Sequence, residues 1–111
     1  MPRATSDFSP IDAGETGNFT FSFVPQTGAS WLGVGEVITG VVSWTLASKL
    51  NIDRTPSTRL IGSPVFTTTT TTQAIGNCIA GEIYLVTATV LTSANQQLLL
   101  YCDLRCKSAL T

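Results

Sequence analysis

The side chains best suited to acid–base, nucleophilic or metal chemistry near neutral pH are seven carboxylates and three cysteines, and the sequence has no histidine. Lack of histidine removes the commonest general base and the commonest metal ligand together. The acids stand singly along the chain, so a catalytic carboxylate pair would need loops to bring Asp12, Glu36, Asp53 and Glu82 together in space. Neither a Gly-x-Ser-x-Gly elbow nor a phosphate-cradling Gly-x-x-x-x-Gly-Lys loop occurs. An enzyme is therefore not expected, and neither catalytic residues nor a cofactor are assigned.

The cysteines are Cys78, Cys102 and Cys106, an odd set that cannot all pair within one chain. On a single strand, Cys102 and Cys106 would lie roughly 13 Å apart, beyond the reach of a disulfide. Only a pairing of Cys78 with one of them is geometrically open. A zinc site built from the three would lack close Cys-x-x-Cys pairs and any histidine, so no metal is assigned. All three read as small buried side chains in a protein made in a reducing cytosol, with no disulfide expected.

Six Lys or Arg stand against seven Asp or Glu, a net of −1, and neither sign forms a run. Phosphate neutralisation needs clustered cations, so no nucleic-acid partner is expected. Met1–Asp7 holds no apolar signal core and no apolar stretch approaches the roughly 20 residues that span a bilayer, so neither classical export nor membrane embedding is expected. With 43% apolar and only 12% charged residues, the chain is too apolar for disorder and poor in charge for a free monomer. Part of its surface is expected to face other protein.

Any such surface must be built by the strands that the pattern predicts. Residues 1–17 are polar and carry Pro2, Pro10, Gly14 and Gly17, which reads as an extended N-terminal arm. Such an arm cannot order itself, which makes Phe8 and Ile11 its expected anchors on a partner. Residues 18–111 read as one domain. Phe19, Phe21 and Phe23 alternate with polar residues as a half-buried strand. Trp31 and Leu32 precede a Gly33-Val34-Gly35 turn. A second strand, Val37 to Leu46, is expected to point Ile38, Val42, Trp44 and Leu46 inward, and residues 47–58 to form a loop.

Gly62 and Pro64 place Leu60–Phe66 at an edge or a bulge. Thr67–Thr72 is expected to be an exposed edge as well. Ile83–Leu91 and Gln97–Lys107 both alternate with period two and should pair as a hairpin. Tyr84, Val86, Val90, Leu98 and Leu100 then join Trp44 and Val42 in one core, while Leu99 and Tyr101 face away from it as candidate partner contacts. Tyr84, at the start of a late strand after Gly76 and Gly81, is placed for a tyrosine corner, and Trp44 for the space between two sheets. Short strands with turns between them, and no helix long enough for a parallel crossover, predict an all-β antiparallel sandwich.

The order Asp12-Ala13-Gly14-Glu15, Phe21-Ser22-Phe23, Trp31-Leu32-Gly33, Glu36-Val37-Ile38, Ser43-Trp44-Thr45, Ala80-Gly81-Glu82-Ile83-Tyr84-Leu85-Val86-Thr87 and Leu91-Thr92-Ser93 resembles small immunoglobulin-like structural proteins of tailed bacteriophages. The resemblance covers about residues 12–106. It departs from the family at Ala94-Asn95, where a glycine is usual, and at Leu98-Leu99-Leu100-Tyr101, where charged residues are usual. The resemblance implies an immunoglobulin-like sandwich in a virion component with no catalytic residues, made in the bacterial host cytoplasm. The expected role is a capsid cement or decoration subunit whose partners are the major capsid protein, other phage structural proteins and copies of itself. A module of the neck, tail or fibre is the alternative, and a small enzyme with a carboxylate site a remote one.

Overall fold

The computed structural model describes residues 8, 10–23 and 35–107. Trp31, Leu32 and most of the turn after them lie outside these residues, as does the arm before Phe8. Among the described residues, seven strands form: β1 (Ile11–Asp12), β2 (Thr16–Ser22), β3 (Ile38–Ser48), β4 (Leu60–Phe66), β5 (Thr70–Gly76), β6 (Ile83–Thr92) and β7 (Gln97–Lys107), with one 3-10 turn at Pro56–Arg59 before β4. They make two sheets, β1-β7-β6-β3 and β2-β5-β4. Every described pairing is antiparallel except β1 with β7. Strands β7, β6 and β3 in one layer, β2, β5 and β4 in the other, and a short first strand running parallel to the last give the order of an immunoglobulin-type sandwich.

The β6–β7 hairpin forms in the register that alternation predicts, from Ile83 opposite Arg105 to Leu91 opposite Gln97. Tyr84, Val86, Ala88 and Val90 meet Leu98, Leu100, Cys102 and Leu104 on the inner face, and all are buried. Asn95 turns the hairpin with φ of 59°. Asparagine tolerates this left-handed conformation, which explains how the turn forms without the usual glycine.

On β3 the pattern misleads at one position. Ile38, Trp44 and Leu46 are buried, but Val42 is 48% exposed. Register shifts between Ile38 and Gly40 and between Val41 and Ser43 each insert an extra residue. One bulge reverses the facing of the residues after it, and a second restores it. Thr39 and Val42 are the inserted residues, and Val41 takes the inward position instead, packed against the core.

The threonine run is also corrected. β4 is an edge strand with a register shift between Ile61 and Val65, as Gly62 and Pro64 predict. The run itself is not an edge: Thr67–Thr69 turn the chain, and Thr70–Thr72 begin the central strand of the smaller sheet. Thr71 is fully buried because its hydroxyl accepts the Trp44 indole N–H at 3.0 Å and donates to the Val65 carbonyl at 3.0 Å. Gln73, also buried, donates its amide to the Ile61 and Gly62 carbonyls, at the start of the β4 irregularity.

The expected arm boundary at residue 17 moves. Ile11 and Asp12 pair with Cys106 and Lys107 of β7, and β2 already begins at Thr16. The open edge of β7 offers unpaired backbone groups, and the chain preceding β2 fills it.

Candidate functional site

Of the four residues expected to touch a partner, two face the protein's own interior. Ile11 is only 6% exposed, inside the core. Phe8 is half-buried, with its ring 5.0 Å from Phe19 and 4.9 Å from Phe21, and Phe21 in turn lies 5.1 Å from Trp44. Aromatic rings at these centroid distances reinforce one another beyond their buried area. The role of Phe8 and Ile11 as anchors on another protein is therefore corrected. Docking of β1 on β7 carries both onto the gap between the sheets, and the sandwich itself holds them.

Leu99 and Tyr101 do lie on the outer face of the larger sheet. Leu99 stands opposite Thr89, and Tyr101 opposite Thr87. Leu85 and Ile83 continue the band along β6, and each of the four is half-buried by its neighbours on this face. Leu91, 40% exposed, extends the band at the hairpin end. Lys49 and Asp103 pair across it at 3.1 Å. The sequence carried a signal for Leu85 and Ile83, since they alternate with Tyr84 and Val86. A second apolar surface, Ile61, Val65 and Phe66 on β4, carried none. Its residues keep no period, because the irregularity in β4 breaks it.

Asp12, Glu36 and the Asp53–Glu82 pair occupy three separate places. Asp12 lies 3.6 Å from Lys107 on the β1–β7 edge, and Glu36 accepts the Thr92 hydroxyl at the opposite end of β3 from Asp53. Asp53 and Glu82 do come together, and both are buried. Glu82 accepts from the Ser48 hydroxyl and from the backbone N–H groups of Leu50, Ile52, Asp53 and Ile83. Its carboxylate is thus the template around which the chain leaving β3 folds. Burial pulls its pKa up, but these hydrogen bonds outweigh burial and hold it at about 2. Arg59, bonded at 2.8 Å, dominates at Asp53; with the Tyr84 hydroxyl and the Thr55 N–H it outweighs desolvation and lowers that carboxyl to about 2.

Tyr84 completes the cluster as the expected tyrosine corner. Its hydroxyl accepts the Ile79 N–H at 3.1 Å and donates to Asp53 at 2.7 Å. The sequence predicted the corner but not its partners Asp53 and Arg59, which sit in an irregular loop without pattern. Both carboxylates are surrounded by donors, and through them they hold the loop after β3 in place.

Comparison with protein-family models, with curated proteins and with solved structures finds no match. Among the described residues, no group of three or more His, Cys, Asp or Glu is placed to hold a metal ion, and no helix is long and apolar enough to cross a membrane. What the geometry offers a partner is a surface: the Leu85, Leu91, Leu99 and Tyr101 band on the outside of the larger sheet.

Proposed function

We propose that the protein is a non-enzymatic structural subunit of a tailed-phage virion, seated on the capsid as a cement or decoration protein that binds the major capsid protein. The observation that carries this reading is the apolar band of Leu85, Leu91, Leu99 and Tyr101 on the outer face of a rigid sandwich. A chain this poor in charge gains from covering such a band with other protein. The resemblance to immunoglobulin-like phage proteins gives the partner class, and a lattice of identical capsid subunits lets many weak contacts act together.

Quantitative protein composition and imaging of the assembled particle test the proposal. Copies spread over the shell, in number comparable to the capsid protein, are expected. A single ring at the portal or tail axis would transfer the protein to the neck, tail or fibre. Absence from the purified particle would overturn the virion reading altogether.

A further inference from the structure

Beyond any docking role, the end of β7 brings two thiols together. The turn before β6, which passes through Gly81 with φ of +87°, lies against β7: Gly81 donates its N–H to the Cys106 carbonyl at 2.8 Å, and Cys106 donates to the Glu82 carbonyl at 2.9 Å. The Tyr84 hydroxyl holds Ile79, so the preceding residue, Cys78, is fixed on the inner side of the same crossing. Cys78 and Cys106 are 4% and 3% exposed, and each thiol lies in the other's electrostatic surroundings. A groove lined by Ala80, Gly81, Arg105, Cys106 and Lys107 reaches Cys106 from outside.

We propose that Cys78 and Cys106 are a closable dithiol, a modification site that a low-molecular-weight disulfide such as oxidised glutathione converts into an intramolecular disulfide fastening the β5–β6 connection to β7. Two buried thiols on the two sides of this backbone crossing need side-chain rotation to reach bonding distance, whereas Cys102 lies four residues from Cys106 along the same strand. The Cys106 thiolate, beside the groove, attacks glutathione disulfide and expels one glutathione thiolate. The Cys78 thiolate then attacks the Cys106 sulfur of the mixed disulfide and expels the second. Two protein thiols lose two electrons and two protons, and one glutathione disulfide becomes two glutathione thiols. Burial foremost, with the neighbouring Cys106, pushes the Cys78 thiol up to about 12, so the reduced pair is stable and reacts slowly.

The test refolds the full chain from denaturant in a buffer of oxidised and reduced glutathione, which removes slow access as an obstacle. The product is alkylated, peptide-mapped without reduction and melted. Expected are a Cys78–Cys106 linkage, one alkylated thiol at Cys102, and a melting temperature raised by roughly 10 °C that dithiothreitol returns to the starting value. Cys102→Ser should keep both effects, and Cys78→Ala should lose both. If Cys78→Ala fails to fold, the peptide map of the unsubstituted chain decides alone. Three alkylated thiols, a linkage involving Cys102, or a linkage between two molecules would each overturn the proposal.

Discussion

At the scale of single residues, Glu82 does more for this fold than its polarity announces. A buried carboxylate without a cation at its side is costly unless donors surround it, and here the backbone of the loop after β3 supplies them. Asp53 and Glu82 have folded pKa values near 2, below their ordinary values of 3.8 and 4.5. Depressed carboxyl values stabilise the folded state fully above the unfolded pKa and lose that contribution as pH falls through the folded one. Urea midpoints should therefore hold above about pH 5 and fall toward pH 2, by roughly 2 to 4 kcal/mol per carboxylate. Glu82→Gln should lower stability at neutral pH and flatten that profile, and an unchanged acid limb would contradict the assignment. Tyr84→Phe leaves Asp53 and the Ile79 N–H each short of a partner, and is expected to cost about 1 to 3 kcal/mol in the same titration. Leu100, fully buried, should cost about 2 to 5 kcal/mol on truncation to Ala. Alkylation of unfolded protein without prior reduction should modify three thiols, in keeping with the free state of Cys78, Cys102 and Cys106, and a single modified thiol would contradict it.

Among the elements, β1 changes the expectation most. Ile11→Ala is expected to cost about 2 to 4 kcal/mol, and deletion of residues 1–12 still more, because Phe8 leaves its ring cluster as well. A truncated chain with an unaltered denaturation midpoint would return these residues to an arm. The strand was hidden from sequence reading for a physical reason: two residues have no period, and a parallel pairing with β7 is a contact between opposite ends of the chain. By contrast, β6 and β7 were legible because each alternates over its whole length and a short turn joins them. Pro64 and Gly62 likewise marked β4 as an edge. The bulges of β3 were not legible, since an inserted Val42 is as apolar as the core residues beside it. Which strand lies in the centre of a sheet is set by topology, so the polar threonines could not reveal that β5 is the middle one. Of the candidate contact residues, the alternation of β7 placed Leu99 and Tyr101 correctly on the outer face. Phe8 and Ile11 were misplaced for want of the β1–β7 pairing.

Taken as a whole molecule, the protein presents a finished core and an outer sheet face on which apolar residues are only half covered. If the proposed capsid role holds, substituting Leu99 and Tyr101 together with Asp should leave the melting temperature within a few degrees, since neither side chain reaches the core, yet remove the protein from assembled particles. Full incorporation of that variant would exclude this face as the contact. The parallel seam between β1 and β7 has a mechanical consequence. Phe8 donates to the Asp103 carbonyl, Ala13 donates to the Lys107 carbonyl, and between them the two strands run in the same direction. The chain thus comes into the seam from one side and leaves it on the other. Tension applied to its two ends slides the strands past each other, so the bonds of the seam bear load side by side and must fail together. A hairpin pulled open from its free ends would instead unzip one bond at a time. Pulled apart from Phe8 and Lys107, this small sandwich would be loaded in shear where β1 is stapled to β7.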